Sequence, residues 1–597
     1  MGRLFRVWVV LAIGIGSMCA QAPQGQPDYG QGQSSYDPGQ QSVPNPEQSR
    51  PDQGIARISL LNGEVSVRRG DSGDVIAAAM NAPLLVQDRL LTSSAARAEI
   101  QFDSVTMLRV GANSEVRIAD LQYGHAQLQL AIGTITLRIL RNSQEQIEID
   151  LPAVGFRPSQ PGVYRISVRE DGSGDITVRD GAGQVLTQGG AQDLKAGYTM
   201  MVRGAAADAE YQIVTAVGLD DWDRWNQQRD GAFLQSRSAQ YVSPDVYGTE
   251  NLDQNGRWVQ DPTYGNVWAP NVAPGWAPYQ AGQWVWEDYY GWTWVSTDPW
   301  GWAPYHYGRW FYGPVGWAWY PGPLYARHYW APALVGFFGF GGLRVGVGFG
   351  FANVGWVALA PFEVFHSWWG HGYSRGAIFN NVSITNVYRN ARVANGVTAV
   401  GAGAFGHRAV PFQRLSGAQV QNAGMVGGAL PVTPSRSSLS FSNRAVNGAR
   451  FPQSANRSFF GRGSAAGTQR TSFETAQRGF AQSAAGVAER TNNAGGWSRF
   501  NGPTAGAPAA RGTNPAPQSS YRAPSNSGWG GGSRAVRISP PIVRNYSSGP
   551  SRGGSTAAYR SAPAARSSGN ESTSRKGGSG VAHPSSGGHA GGGGHHR

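Results

Sequence analysis

The chain has 597 residues with 84 Gly, 36 Pro, a single Cys and only 15% charged residues. That length allows about three to four domains, but so much Gly and so little charge indicate that part of the chain lies outside any packed core. One Cys excludes a disulfide framework, a Cys-ligated zinc site and a CxxC redox pair.

The N-terminus has the pattern of a secretory signal peptide, which we assign to residues 1–22. An apolar run from Val7 to Met18 follows two arginines, and it is shorter than the roughly 20 residues that span a bilayer. We expect cleavage near Ala20 or Ala22 and export to the periplasm, the outer membrane or the medium. Acylation of Cys19 is the alternative, and Met18 disfavours it because lipoprotein processing requires a small residue there.

Residues 23–54 are rich in Gln, Pro, Gly and Ser, which predicts a disordered linker. From residue 55 to 205 apolar and polar residues alternate with period 2, as in segments 135–139 and 176–178, and Gly, Asn and Asp separate the segments. Many short strands without helices between them predict a mainly β fold, a β-sandwich or β-roll, with a short solenoid as the alternative.

The segment 84–118 has the pattern L-x-x-x-D-x-L-x-T followed by a strand, an Asp turn and a second strand. The matching residues are Leu84, Asp88, Leu90, Thr92, Ala98, Ile100, Phe102, Asp103, Leu108, Val110, Ser114, Val116 and Ile118. Region 55–205 therefore resembles the FecR domain, a bacterial envelope β-domain. Ser104 departs from the family, which usually has Gly after the Asp, so the turn must use a different geometry or tolerate the substitution.

One helix is predicted, over residues 218–241. Asp220 and Asp221 can cap it, and a rough helical stripe follows from Leu219, Trp222, Trp225 and Phe233. We interpret it as a spacer helix between two β regions.

Residues 256–330 contain 13 of the 21 Trp, and these Trp recur in a pattern. Gly-x-Trp occurs at Trp258, Trp284 and Trp310, a period of 26, and a second Gly-x-x-Trp follows each of them, at Trp268, Trp294 and Trp319. Repetition at this period marks stacked supersecondary units. Each unit has the pattern strand, Gly turn, strand, so we predict three hairpins within a Trp-rich β-repeat domain at 247–400.

Two interpretations of the tryptophans remain open. Large aromatic side chains can form the core of small β units, each burying roughly 150–250 Å². Alternatively, some of them are exposed and stack on sugar rings or bases. Trp286, Trp292 and Trp317 are the best candidates for glycan stacking, because they alternate with Trp that recur in every repeat.

The same stretch resembles an uncharacterised Trp/Tyr/Gly-rich domain that follows FecR domains in secreted bacterial proteins. The residues that carry this resemblance are Leu252, Asp253, Trp258, Trp268, Trp276, Tyr279, Gly291, Trp292, Trp294, Trp300, Trp302, His306, Trp310, Trp356 and Glu363. Together the two resemblances cover about residues 55–410. They imply an envelope protein and leave its biochemical activity open.

No catalytic or metal-binding constellation emerges. His366 and His371 have no acidic partner nearby, and a metal site needs three or four convergent ligands. Glu287, Asp298 and Glu363 are the acids that a glycosidase pair would have to use, but their separation cannot be read from the sequence. We therefore predict a chain that is not an enzyme and that has no cofactor and no metal.

Basic residues are concentrated towards the C-terminus. Residues 411–597 contain 20 Arg and one Lys against three acids, and Gly, Ser, Ala and Pro dominate the rest. Too little apolar surface is available to offset the ordering entropy, so a disordered tail is predicted. Its charge favours anionic surfaces such as lipid headgroups or envelope polysaccharide, and export makes nucleic acid an unlikely partner.

We predict a non-enzymatic, exported cell-envelope protein with a binding or scaffolding role, in which exposed Trp bind envelope polysaccharide. The alternative follows from the FecR resemblance, since FecR proteins regulate sigma factors. That alternative is a periplasmic regulatory protein. Only Met1 to Arg6 precede the apolar run, so we expect no direct contact with a sigma factor.

Overall fold

The computed structural model describes residues 51, 53–141, 143, 145–341, 351–369, 375–407, 410–420, 423–446, 451–452, 457–461, 470–491 and 499–501. These residues all belong to one compact unit, Met1–Ala510. The predicted signal peptide lies outside the described residues, and so does almost all of the predicted linker. The described part of the chain is mainly β, as the alternation predicts.

Seventeen strands form the first region. They are β1 (Ala56–Asn62), β2 (Val65–Arg68), β3 (Val75–Ala77), β4 (Pro83–Leu84), β5 (Arg89–Thr92), β6 (Arg97–Gln101), β7 (Thr106–Val110), β8 (Glu115–Gln122), β9 (His125–Ile139), β10 (Gln146–Asp150), β11 (Gly155–Pro158), β12 (Gly162–Val168), β13 (Gly174–Asp180), β14 (Ala182–Thr187), β15 (Gly190–Lys195), β16 (Tyr198–Arg203) and β17 (Glu210–Thr215). The region thus ends at Thr215, beyond the predicted boundary at residue 205.

The long strand β9 belongs to both sheets of this region. Residues 125–132 pair with β8 and, in parallel, with β10, whereas residues 133–139 pair antiparallel with β7 and β12. Gly133 lies at the change of sheet with φ +100°, and a Cβ there would come within 2.1 Å of Ser114 Oγ. Only Gly fits that position. Among the described strand pairs β9–β10 alone is parallel, so the region is a mainly β fold with antiparallel pairing, in agreement with the predicted fold class.

Every second side chain of the alternating segments points inward, and these side chains form the core between the two sheets. Ile135, Leu137, Ile166, Ile176 and Val178 are all 0% exposed. Ser104 lies in the turn between β6 and β7. Asp103 closes it, because its Oδ1 accepts the backbone N–H groups of Val105 and Thr106 at 2.7 and 2.6 Å. A short polar side chain thereby supplies what a Gly turn otherwise provides.

The predicted helix exists but is shorter, and it is not a spacer. Helix α1 (Asp221–Leu234) begins with Asp220 as N-cap in a capping box with Asp223, and a separate 3-10 turn covers Ser238–Gln240. Its buried residues are polar, Asp223 and Asn226. The helix lies on the first sandwich, where Trp222 Nε1 donates to Thr136 Oγ1 at 2.8 Å.

Thirteen further strands follow. They are β18 (Gly256–Asp261), β19 (Gly265–Pro270), β20 (Gly282–Glu287), β21 (Gly291–Ser296), β22 (Arg309–Gly313), β23 (Gly316–Tyr320), β24 (Val335–Phe340), β25 (Asn353–Ala358), β26 (Arg375–Val382), β27 (Val397–Gly401), β28 (Gln413–Leu415), β29 (Ala423–Gly427) and β30 (Arg499–Asn501). Strands β18-β19-β23-β22 form a four-stranded sheet, β20-β21 a separate hairpin, and β28-β27-β25-β24-β29-β26-β30 a seven-stranded sheet. Helices α2 (Trp302–His306), α3 (Ile384–Val387) and α4 (Phe473–Thr491) complete this second region.

The prediction of disorder from residue 411 onward is wrong for part of that segment. Strands β28, β29 and β30 extend the seven-stranded sheet, and Phe473, Ala476 and Phe480 of α4 are buried in the second core. The few apolar residues of this segment are enough because they join a core that other strands have already formed. Residues 502–597 lie outside the described residues. No helix among the described residues has both the length and the apolar character to cross a membrane.

Candidate functional site at the junction of the two regions

The Trp repeat forms the three predicted hairpins. Their registers place Trp258 opposite Trp268, Trp284 opposite Trp294 and Trp310 opposite Trp319. Each turn contains a Gly in the left-handed region, with φ of 75° at Gly265, 68° at Gly291 and 84° at Gly316. The repeat-recurrent Trp are core residues, as predicted, except that Trp258 is only partly buried.

The expectation that Trp286, Trp292 and Trp317 are exposed is wrong. Their exposed fractions are 7%, 1% and 6%. Trp286 is two residues from Trp284 and so lies on the same face of its strand, the face that packs into the core. Glycan stacking needs an open indole face, and these three residues do not offer one.

Residues from the segment that was predicted to be disordered cover two of these rings. Phe480 of α4 meets Trp286 edge to face at a centroid distance of 4.9 Å. Trp292 donates from Nε1 to the Val432 carbonyl at 3.3 Å and contacts Phe405 at 4.8 Å. Trp317 instead pairs with its cross-strand neighbour Tyr312, at 5.6 Å. The composition of residues 411–597 does not indicate that this segment covers the Trp286 and Trp292 rings.

The hairpin β20–β21 belongs to both cores. Trp284, Trp286, Trp292 and Trp294 face the second core, whereas Val285 and Val295 on the opposite face pack into the core of the first sandwich. A two-stranded hairpin is at most marginally stable alone, so burial on both faces explains its persistence here. The hairpin is therefore the common wall of the two regions.

A buried ion cluster, formed by Arg69, Asp71, Asp88, Glu287 and Arg470, lies at one end of this wall. All five side chains are at most 1% exposed. Arg69 contacts Glu287 at 2.6 Å and Asp71 at 2.6 Å, and Arg470 contacts Asp88 at 2.6 Å, Asp71 at 3.0 Å and Glu287 at 3.2 Å. Opposite charges so deep in the protein stabilise it only when every charge has a partner. The cluster thus ties together the first sandwich, the hairpin and the C-terminal segment.

The acids that a glycosidase would need are engaged in structural contacts. Glu287 belongs to the ion cluster. Asp298 accepts the Tyr305 hydroxyl at 2.7 Å, and Glu363 accepts backbone N–H groups at 2.8 and 2.6 Å. None of these carboxylates is positioned as a free acid or base.

The histidine of the repeat is a structural residue. His306 is fully buried, its Nδ1 lies 2.7 Å from the Ala331 carbonyl oxygen, and its ring stacks on Trp330 at 4.7 Å. Burial lowers the pKa of His306 to about 3, so the ring is neutral. His366 is described but His371 lies outside the described residues, and within the described ranges no group of three or more His, Cys, Asp or Glu is arranged to hold a metal ion.

A second feature of the junction is an open cavity of about 160 Å³, which we call the junction cleft. The first sandwich and the residues before it contribute residues 51, 53–55, 102–105, 121–123, 141, 143 and 145. The second region contributes residues 244, 245, 247 and 328–330 together with Tyr290 and Tyr307. Seven aromatic side chains line the cleft: Phe102, Tyr123, Tyr247, Tyr290, Tyr307, Tyr329 and Trp330.

Hydrogen bonds and ring contacts hold several of these aromatic residues. The Tyr247 hydroxyl donates to the Ile55 carbonyl at 3.2 Å, and the Tyr290 hydroxyl donates to the Gln53 carbonyl at 2.6 Å. Tyr123 meets Tyr329 edge to face at 5.6 Å. Gln53 is only 5% exposed, so the last residues of the predicted linker in fact belong to the wall of the cleft.

Three carboxylates line the cleft, those of Asp103, Glu145 and Asp245. Burial raises the pKa of Tyr123, and Asp245 raises it further. Burial also raises the pKa of Tyr247, with Glu145 and Asp103 adding to the shift and Arg57 opposing it. The lining of the cleft therefore combines aromatic side chains and three carboxylates with Arg141 and His328.

Residues 249–363 match the model of a family described as "Family of unknown function (DUF6600)". The match covers the first three quarters of the predicted Trp-rich domain and slightly less than a fifth of the chain. The comparison with curated proteins gives no match.

Two solved chains, both described as "a putative anti-sigma factor from Parabacteroides distasonis", resemble part of this protein. The 2.50 Å structure has 13% identity and a TM-score of 0.20, and the match covers 25% of this chain and 64% of that chain. The 1.65 Å structure has 12% identity and a TM-score of 0.20, and the match covers 31% and 86%. The protein thus spans just under two thirds of the length of the first of these chains.

Sequence reasoning did not find the junction cleft. Its tyrosines come from five separate segments, and only Tyr290 lies within one of the three hairpins. Asp103 is a turn residue, as the sequence predicts. No local pattern in the sequence indicates which turns meet.

Proposed function

We propose that this protein is a non-enzymatic, exported component of the bacterial cell envelope that binds a ligand in the junction cleft. The observation that carries the proposal is that both β regions build the cleft together. Concave aromatic cavities with a few polar groups are the common form of binding sites, and they occur preferentially where two regions meet. The buried ion cluster and the shared hairpin make the surrounding body a rigid scaffold.

Support for a binding role without catalysis comes from the engaged carboxylates. Glu287, Asp298 and Glu363 each have structural partners, and Asp103 is the cap of its turn. A general acid or base must instead reach the proton that it transfers. The aromatic side chains of the cleft provide contact area rather than reactive groups.

Support for an envelope location comes from the sequence pattern at residues 1–22 and from the basic C-terminal end. Residues 502–597 contain ten Arg and one Lys against one Glu. We propose that this segment adds a second contact, with anionic surfaces such as lipid headgroups or envelope polysaccharide. Attraction between exposed charges is screened over about 8–10 Å at physiological ionic strength, so this contact weakens as salt is added.

The proposal is tested with the full chain against isolated envelope fractions: peptidoglycan, surface polysaccharide and lipid vesicles. Tyr329→Ala removes an aromatic wall of the cleft. Tyr325→Ala is the matched control, since Tyr325 is 97% exposed and outside the lining. Salt-resistant binding that Tyr329→Ala reduces and Tyr325→Ala preserves is the expected result.

Two results would overturn the proposal. Binding that both variants preserve would place the site elsewhere. Turnover of glycans, esters or peptides by the purified chain, abolished by a single acid substitution, would make the protein an enzyme. Sequencing the N-terminus of the native protein checks export directly, because a mature chain that begins near residue 20–23 requires signal-peptide cleavage.

A further inference from the structure

We propose that the junction cleft recognises a positively charged organic group, a protonated amine or a quaternary ammonium, at one end of its ligand. This inference rests on the proposed function, because it takes the junction cleft as the binding site. It adds the chemical class of the ligand, which neither the sequence nor the family match supplies.

The walls of the cleft are suited to a cation. Aromatic faces carry negative charge above the ring, and a cation within about 6 Å of the ring centre is attracted to it. Tyr123 and Tyr329 both line the cavity, and both are partly exposed. The two rings meet edge to face at 5.6 Å with an interplanar angle of 66°, so their faces point in different directions.

The charged residues that line the cleft also favour a cation. The lining contains three carboxylates, those of Asp103, Glu145 and Asp245, against one exposed arginine, Arg141, and His328. The donors to Asp103 are neutral, namely two backbone N–H groups and the Ser143 hydroxyl. Asp245 is in part neutralised by Arg327, whose Nη1 lies 3.2 Å from Oδ1 and whose side chain is 60% exposed. A net negative charge therefore remains around the cavity.

Burial raises the pKa values of Tyr123 and Tyr307, and the nearby Asp245 carboxylate raises them further, while Arg327 opposes the shift at Tyr123. A phosphate or carboxylate ligand would meet the same repulsion. A neutral sugar would gain stacking and hydrogen bonds but nothing from the charge.

The volume of the cleft limits the size of the charged group that it can hold. A cavity of roughly 150 Å³ admits a molecule of the size of benzene. The junction cleft, at about 160 Å³, therefore accepts a trimethylammonium head or a protonated primary amine with a short carbon chain. The rest of a larger ligand would extend through the open side.

Titration calorimetry on the full chain tests the inference with two probes of the same shape. Choline carries a quaternary ammonium, and 3,3-dimethylbutan-1-ol is its neutral isostere. We expect choline to bind at least tenfold more tightly than the alcohol. Equal affinities, or no binding of choline, would overturn the inference.

Three variants assign the effect to the cleft. Asp245→Asn should weaken choline about fivefold and leave the alcohol unchanged, whereas Asp221→Asn, at a side chain that is 94% exposed on α1, should change neither. Tyr329→Leu keeps apolar bulk but removes the ring face, so the preference for choline over the alcohol should shrink. A preference that survives both Asp245→Asn and Tyr329→Leu would overturn the inference.

The two proposals fail in distinguishable ways. If envelope fractions bind in a Tyr329-dependent manner but excess choline does not displace them, the ligand class is wrong and the site stands. If envelope binding does not depend on Tyr329, the proposed function itself fails.

Discussion

Arg470 contacts Asp88 at 2.6 Å, although 382 residues separate them in the chain. Asp88 also accepts the backbone N–H groups of Gly70 and Leu85, so the same carboxylate closes a turn of the first sandwich and holds the C-terminal segment. This single contact shows that the C-terminal segment is part of the folded body rather than an appendage to it.

Replacing Arg470 by Ala should lower the free energy of unfolding by about 3–5 kcal/mol, because three buried carboxylates would then share one arginine, Arg69. Urea unfolding at pH 7 measures the loss. Arg478→Ala is the control, since Arg478 lies in the second turn of α4 and is exposed, and it should change stability by no more than about 0.5 kcal/mol. Equal midpoints for the two variants would contradict the importance of the cluster.

Trp286→Ala and Trp292→Ala should each cost about 3–5 kcal/mol, because both remove a large buried ring from a packed core. Tyr325→Ala, at a side chain that is 97% exposed, should leave the melting temperature unchanged. Thermal unfolding followed by near-UV circular dichroism measures all three. Normal stability of the Trp286 variant would mean that α4 does not cover the hairpin.

Substitutions at three glycines distinguish the cost of a positive φ from the cost of a steric clash. Gly316→Ala should cost about 1 kcal/mol, because φ is 84° but no atom lies within 4 Å of the new Cβ. Gly308→Ala should cost more, since φ is 65° and the Cβ would also lie 2.2 Å from the Tyr320 carbonyl oxygen.

Gly231→Ala is a control that should raise the free energy of unfolding rather than lower it. Gly231 is in the interior of α1, and its Cβ would meet only Gln235 Nε2, at 3.8 Å. Ala there should stabilise the protein by about 0.4–1 kcal/mol. Chemical denaturation should give the highest free energy of unfolding for the Gly231 variant, a lower one for the Gly316 variant and the lowest for the Gly308 variant. Any other order would contradict the backbone geometry.

Asp150 makes stability depend on pH. Burial raises the pKa of this side chain to about 7, and the nearby Glu148 adds to the shift. A raised acid binds more protons in the folded state than in the unfolded state, so its contribution to stability falls as pH rises from about 4 to 7 and is then constant.

Asp150→Asn should remove this slope, because Asn is neutral at every pH and its carbonyl can still accept Gln127 Nε2, which now lies 2.7 Å from Asp150 Oδ2. The melting temperature of the variant relative to the native protein should therefore rise between pH 5 and pH 8. Asp193→Asn, at an exposed position, should leave that difference flat. A parallel pH profile for Asp150→Asn and the native protein would contradict the raised pKa.

The sequence was informative where local rules decide the structure. Gly265, Gly291 and Gly316 mark turns that need a positive φ, and the three hairpins followed from them. Trp286 lies two residues after Trp284 and therefore shares its strand face, and this local rule contradicts the expectation that the Trp286 ring is exposed. In both cases the physics acts over a few residues.

Longer-range features were beyond the same reasoning. Nothing around Arg470 distinguishes it from the other arginines of a Gly- and Ser-rich segment, yet it lies fully buried against residues of the first sandwich. The junction cleft likewise depends on which turns meet. Both features arise from packing between distant segments, and a single sequence does not encode that packing in any local pattern.

Because both faces of the hairpin β20–β21 are buried, the chain cannot be cut into fragments beside it without exposing apolar side chains. Residues 249–363, the span of the family match, contain this hairpin, but Val285 and Val295 pack into the first sandwich and Trp286 packs against α4. A fragment cut at those limits would expose Val285 and Val295 to water and would leave Trp286 without its contact to Phe480. The span of the family match is thus smaller than the folded body that buries this hairpin on both faces.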